Sequence, residues 1–214
     1  LGRQARFRLD AEVVRDLALS SSGLLSAKMG GPGVFPPQPD GCMDLGQHRK
    51  TWKASSGEDR FRRAAYTYRW RNTPHPALKV FDAPDGLAAC TRRIRSNTPL
   101  QALTLMNDPA FVELAIGLAR RLMTEADSAA NRIRLGFRLC LGREPDAEEL
   151  RLLTGMVESQ RSEFAVQSAE AKAVVAKAKP LGQTTQPDGG DAEFAAWTMV
   201  ARVLLNLDET ITRE

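Results

Sequence analysis

The sequence predicts a mainly α protein, an irregular helical bundle with long Gly/Pro-rich loops. Three observations lead there. Hydrophobic residues make up 43% of the chain and aromatics only 6%, so the core is built mostly from Leu, Ala and Val, which favours helices over a β-sandwich. Apolar residues recur at helical spacing, as in the stripe Phe111, Leu114, Ala115, Leu118 and Leu122. Gly and Pro punctuate residues 23–41 too densely for either helix or strand. At 214 residues the chain is one domain or part of a larger one, and no internal repeat is apparent.

Taken in order, residues 10–22 read as a short helix. Asp10 is placed to cap it, Val13, Val14 and Leu17 give its apolar face, and Gly23 suits the left-handed position beyond its end. The Gly/Pro-rich loop follows, with Leu24, Leu25, Val34 and Phe35 available to pack it down. A loop of this length in a compact domain is a binding loop or one held by its own side chains. Residues 58–70 read as a helix with Phe61, Ala65 and Tyr68 on one face. The alternation of Tyr66, Tyr68 and Trp70 also permits a strand, and Pro74 and Pro76 end the segment.

Residues 81–109, F-D-A-P-D-G-L-A-A-C-T-R-R-I-R-S-N-T-P-L-Q-A-L-T-L-M-N-D-P, form the densest stretch. An acidic turn (Asp82, Asp85) precedes a cationic run (Arg92, Arg93, Arg95). A helix start is then written out, with Thr98 as N-cap, Pro99 at the first helical position and Gln101 three residues after the cap. The helix covers residues 99–106. A second start, Asp108 and Pro109, opens a longer helix to about residue 124.

Residues 129–141 form the next helix, with Ile133, Phe137 and Leu141 four apart and Gly142 closing it. Glu148 and Glu149 stand in the first turn of another, where the helix dipole favours carboxylates, and it runs through Leu152, Leu153, Met156 and Val157 to about residue 164. The Ala/Lys/Val stretch 165–179 continues it or forms a loosely held second helix. Residues 180–190 read as an internal linker. Asp191 caps a last helix that buries Phe194, Trp197, Val200, Ala201 and Leu204.

The net charge of +4 is uneven: residues 1–100 carry 17 basic and 9 acidic side chains, residues 101–214 carry 13 and 17. The first half would therefore suit an anionic partner, and the blander reading is that the two halves neutralise each other. Arg92, Arg93 and Arg95, just before two helix N-termini, are candidates for an anion site or a structural hub with Thr98 and Gln101; as a hub, the arginines would pair with Asp82, Asp85 or Asp108. Asp82 and Asp85 are a candidate acidic turn. D-A-P-D lacks the ligand spacing of a calcium loop and suits a Pro-centred turn whose Asp side chains bond nearby amides. The run F-R-R-A-A-Y-T-Y-R-W-R interleaves rings and cations as a single-strand nucleic-acid platform would, but no binding motif accompanies it, and nucleic acid is the weaker reading.

Cys42, Cys90 and Cys140 lie far apart, with no C-x-x-C pair and no haem attachment sequence. Metal ligation is not expected. Cys90 reads as a small buried cysteine, and the isolated His48 and His75 as surface or turn residues. Asp208, Glu209 and Glu214 read as a solvated tail or as partners of the basic half. No apolar run approaches the ~18 residues of a membrane span. The chain opens on Leu1 and is read as a piece of a longer protein.

Several stretches, in order, carry a resemblance. They are S-G-L-L-S-A-K-M-G-G-P-G-V-F-P-P-Q-P-D-G, R-R-A-A-Y-T-Y-R-W-R-N-T-P-H-P, F-D-A-P-D, T-R-R-I-R-S-N-T-P-L-Q-A-L-T-L-M-N-D-P-A-F-V, F-R-L-C-L-G-R-E-P and A-R-V-L-L-N-L-D-E-T. In these the chain resembles the C-terminal domain of unknown function found in large planctomycete proteins that also carry planctomycete-type cytochrome c domains. The resemblance implies that residues 1–214 are the C-terminal part of one helical domain whose upstream half is absent here. It also implies an exported, extracytoplasmic parent with haem c in a separate domain, and no cofactor in this chain. It supplies no catalytic residues. The function expected from it is a non-catalytic scaffold or interaction module whose partners are the upstream half of the domain and other domains of the parent. Two alternatives stand beside it. One is part of a polysaccharide-acting hydrolase, with carboxylates such as Asp40, Asp82 or Asp85 facing across a cleft. The other is a module that binds anionic polysaccharide, such as a sulfated glycan, through the basic half.

Overall fold

The computed structural model describes residues 6–45, 51–178, 181 and 189–213. Among them are nine α-helices: α1 Ala11–Ser21, α2 Pro76–Val80, α3 Pro99–Asn107, α4 Pro109–Glu125, α5 Ala129–Cys140, α6 Ala147–Val166, α7 Ser168–Ala176, α8 Gly190–Asn206 and α9 Asp208–Ile211. Three short 3-10 turns and one pair of two-residue strands, β1 Phe7–Arg8 and β2 Thr212–Arg213, complete them. The strands are antiparallel, with Phe7 opposite Arg213 and Arg8 opposite Thr212. The fold is mainly α, as the composition requires.

The centre of the core is the contact between α4 and α8. Leu114, Leu118 and Leu122 of α4 and Trp197, Val200, Ala201 and Leu204 of α8 are at most 1% exposed. They are the apolar stripes that helical spacing marks in the sequence. Two glycines let neighbours come close: a Cβ on Gly136 of α5 would lie 2.6 Å from Leu204 Cδ1, and one on Gly117 of α4 2.6 Å from Leu24 Cδ1. Helices α6 and α7 cover the other side of α8, with Phe164, Ala171 and Ala195 as a small second cluster.

Helix starts follow the sequence signals. The Asp108 side chain accepts from the Ala110 amide at 2.9 Å, and that of Ser128 caps α5. Asp146 and Glu149 close a capping box at 2.8 Å in both directions. The backbone is extended at Asp108, so α3 and α4 meet at 60°. Together they satisfy the length and composition of a membrane span, but no single helix among the described residues is long and apolar enough to cross a membrane.

Several expectations need correction. Residues 58–70 are not a helix. They form two 3-10 turns, Gly57–Phe61 and Ala64–Tyr66, and pair with the Gly/Pro-rich loop through bridges Ser26 to Arg62 and Val34 to Thr67. The physical reason is that the backbone hydrogen bonds go outward: Ser26 N–H donates to Phe61 O, Val34 N–H to Tyr66 O and Tyr68 N–H to Val34 O. The alternation of Tyr66, Tyr68 and Trp70 was thus the better guide. Asp191 does not cap α8; it sits within the first turn, and Gly189, at φ 117°, takes the cap position. Residues 165–179 hold a separate helix, α7, after a break at Gln167 (ψ 57°). Of the linker expected over residues 180–190, residues 180 and 182–188 lie outside the described set. Helix α9 and both strands carry no periodic signal, being four residues or fewer.

Gly117→Ala tests the close approach of α4 to the start of the Gly/Pro-rich loop. Alanine gains up to ~1 kcal/mol of helix propensity, but the added methyl meets Leu24 and Ser22, and overpacking costs about 1–3 kcal/mol. A net loss of about 1 kcal/mol is expected in urea denaturation; a net gain would show that the loop start yields freely.

Candidate functional site

The dense stretch before α3 is built around Arg8. Strand β1 and the hydrogen bond from Leu9 N–H to Ile211 O at 2.7 Å hold Arg8 in place, and its side chain is only 3% exposed. Its guanidinium donates to Ser96 O at 2.7 Å, Phe81 O at 3.1 Å and Asp82 Oδ2 at 2.6 Å. Asp82 Oδ2 also accepts from the Ser96 amide at 2.8 Å and the Ser96 hydroxyl at 2.7 Å. Burial alone would raise the Asp82 carboxyl, but the Ser96 and Arg8 donors hold it below its ordinary value. Asp82 has φ 59°, in the left-handed region that Asp tolerates better than most residues.

Gln101, 1% exposed, closes the knot. Its Oε1 accepts from the Thr98 amide at 3.3 Å, and its Nε2 donates to Val80 O at 3.0 Å and Ser96 Oγ at 3.1 Å. The reach-back read from T-P-L-Q is therefore present. The same side chain also binds α3 to the end of α2, which spacing alone does not reveal.

A second, more exposed ring lies outside this knot. Arg93 pairs with Glu12 at 2.7 Å and with Asp10 at 3.6 Å, Arg95 with Asp10 at 3.2 Å, and Arg69 with Glu12 at 2.6 Å. Burial would raise Glu12, but the bonds from Arg93 and Arg69 hold it below the usual carboxylate range. Its bond to Glu12 raises Arg93 in turn. Arg93 and Arg95 thus meet carboxylates at the start of α1, Glu12 and the preceding Asp10, not the expected Asp82, Asp85 or Asp108. Asp85 accepts from the Leu87 amide at 2.9 Å, and Arg92 lies exposed on the loop. An open cleft of about 770 Å³ lies beside the ring, with Arg93, Arg69, Gly33, Tyr66 and Tyr68 among its lining residues. Of its carboxylates, Glu12 is held below the usual carboxylate range by the Arg93 and Arg69 guanidinium groups, and a carboxylate held ionised in this way cannot serve as a general acid.

The Gly/Pro-rich loop is organised by Arg62, which is 1% exposed. Arg62 donates to Pro32 O at 3.0 Å and to Gly30 O, and lies 3.8 Å over the Tyr66 ring. Trp52, Phe35, Tyr68 and Trp70 form a chain of ring contacts, each 5.0 Å between centroids. Arg60 bonds Glu113 at 2.7 Å, and Arg63 lies 3.4 Å from Asp16. Within the interleaved run, Arg62 is thus an internal contact, Arg63 and Arg69 pair with carboxylates nearer the surface, and Arg71 is exposed.

His75 is 2% exposed, contrary to the surface or turn position expected, and His48 lies outside the described residues. Burial lowers His75 to about 4 against the opposing bond to Pro37 O, and the charge of Arg15 adds to the lowering. Cys90 is exposed rather than buried. Burial pushes the Cys140 thiol up to about 12 and also raises Cys42. Asp208 pairs with Arg6 at 3.1 Å and Glu209 with Arg143 at 2.7 Å, while Glu214 lies outside the described residues. Arg143 also pairs with Glu149 at 2.7 Å, tying α9 to the start of α6. Among the described residues no three His, Cys, Asp or Glu side chains come together as a metal site. Sequence reasoning missed Arg8, Arg62, Arg69 and Glu12, since an isolated charge carries no local sign of the carbonyl or carboxylate it will meet.

The two rings should differ in denaturation. Arg8→Met leaves the Asp82 carboxylate and the Ser96, Phe81 and Leu9 carbonyls without their buried cation, and a loss of about 3 kcal/mol is expected. Arg93→Ala breaks an exposed pair and should cost less than about 1 kcal/mol. Equal losses would place the hub's stability in the outer ring. For His75, the folded value of about 4 lies below the ordinary 6.5. Its contribution is complete above pH 6.5 and is lost as pH falls towards 4, because the unfolded chain takes up the proton first. Asp108, pushed up to about 6 by burial, acts in the opposite sense over part of that range. The difference in stability between the native protein and His75→Phe should therefore shrink by about 3 kcal/mol from pH 7 to pH 4. A difference independent of pH would show that His75 protonates freely in the fold.

A comparison with protein-family models matches residues 1–157 to the family described as "PSD1: Protein of unknown function (DUF1553)". That range includes the knot, the outer ring and the Gly/Pro-rich loop, and ends within α6. No curated protein and no solved structure matches the chain. With most of its length and every candidate site residue inside the match, the chain belongs to this family of proteins of unknown function.

Proposed function

We propose that the chain is a non-catalytic helical interaction module that ends a large exported planctomycete protein associated with cytochrome c domains. In this reading its partners are the upstream half of its own domain and other domains of the parent, outside the cytoplasm. Haem c belongs to one of those other domains.

The observation that carries the reading is the contrast within residues 81–109. Asp82, Arg93 and Arg95 are paired within the fold and Phe81 and Leu105 are buried, while four large apolar side chains face outward: Leu87 is 65% exposed, Ile94 77%, Leu100 57% and Leu103 58%. Leu100 and Leu103 share one face of α3 by their spacing of three. A hub that neutralises its own charge and presents large apolar side chains suits packing against another protein surface. Asp82 and Asp85, two of the carboxylates considered for hydrolysis, are bonded to Ser96, Arg8 and the Leu87 amide, which favours a structural role for both.

The test is binding between this chain and the upstream part of its parent, measured by calorimetry with native protein and with Leu100→Asp/Leu103→Asp. The double variant should keep its stability within about 0.5 kcal/mol, as exposed positions do, and lose at least tenfold in affinity. Undiminished binding by a folded variant would remove α3 from the interface, and no binding by the native chain would remove the module reading.

A further inference from the structure

A cavity of about 10 Å³ is enclosed between α1, α2, the start of α4 and Thr67, with Arg15, His75, Phe81 and Phe111 in its wall. That volume is the smallest that admits one water molecule. Three of its lining residues carry a buried polar atom with no partner in the protein: Arg15 Nε, Thr67 Oγ1 and His75 Nδ1. The residues are 6%, 7% and 2% exposed. One such atom is costly, and native proteins almost always satisfy it. Three around one water-sized space require a common partner.

The hydrogen pattern limits what that partner is. His75 Nε2 lies 2.9 Å from Pro37 O. A carbonyl only accepts, so Nε2 carries the hydrogen and the neutral ring leaves Nδ1 as an acceptor. Arg15 Nε only donates, and the Thr67 hydroxyl does either. A halide would satisfy Arg15 but meet the lone pair of Nδ1. A metal ion would meet the positive charge of Arg15. A water accepts from Arg15, donates to His75 and exchanges a bond with Thr67.

We propose that this cavity is the binding site of a single structural water, held by Arg15, Thr67 and His75. The water links α1 to the segment paired with the Gly/Pro-rich loop. Through His75 and Pro37 it also reaches the far end of that loop. The loop is thus held in its middle by the Arg62 guanidinium and at Pro37 by His75, whose other ring nitrogen the water satisfies.

A high-resolution crystal structure of the native protein at neutral pH tests this directly. One isolated density peak within hydrogen-bond distance of Arg15 Nε, Thr67 Oγ1 and His75 Nδ1 is expected, with no anomalous signal there after a bromide soak. An empty cavity, a side chain filling it, or a bromide peak at that point would overturn the proposal. In solution, Overhauser contacts from a long-lived water to the Thr67 methyl group are expected, and their absence in the folded protein would count equally against it.

Discussion

The Arg8 guanidinium is the interaction on which the hub depends. A guanidinium removed from water must have nearly all its donors met, or its burial is prohibitive. Arg8 meets them with the Ser96 and Phe81 carbonyls and the Asp82 carboxylate, which belong to a segment with little regular structure of its own. That segment must therefore fold back onto β1. Asp82 is fixed in a left-handed conformation, Ser96 is held from both its amide and its hydroxyl, and Gln101 positions α3. The C-terminal strand β2 has its place in the same chain of causes, since it orders β1 and so aims Arg8. The first and last described residues of the chain thus jointly hold its middle.

The same device recurs in the long loop. Arg62 gathers the carbonyls of Gly30 and Pro32, and the prolines of the loop supply no backbone N–H that could meet such carbonyls. Buried arginines supply donors in a fixed planar fork, suited to binding several carbonyls at once. Several arginines of the basic first half thus have structural roles: Arg8, Arg60 and Arg62 hold parts of the fold together from within, Arg69 and Arg93 meet Glu12, and Arg95 meets Asp10.

The legible part of the sequence was the part governed by local rules. The Phe111 to Leu122 stripe, the Asp108–Pro109 start and the Thr98 to Gln101 spacing follow from helix geometry and capping, which act over a few residues. What was not legible depends on distant partners. Residues 58–70 have fair helical spacing, but the loop residues Ser26 and Val34 take their hydrogen bonds, and nothing within the segment announces that. Arg93 was expected to meet neighbouring acids and instead meets Glu12, 81 positions away. His75 looks isolated in sequence and is enclosed only once α1 and α2 have packed. The sites of interest are assembled from single residues on separate segments, where neither periodicity nor motif spacing carries information.

The central claim is that the hub is a locked structural element rather than a pliable ligand loop. Hydrogen exchange at the Ser96 amide, which donates to Asp82 at 2.8 Å, measures this most directly. The account predicts exchange as slow as that of the α4 core amides, because releasing Ser96 requires opening the Arg8 knot. Exchange at Ser96 as fast as in the exposed residues 87–91 of the same loop would contradict it.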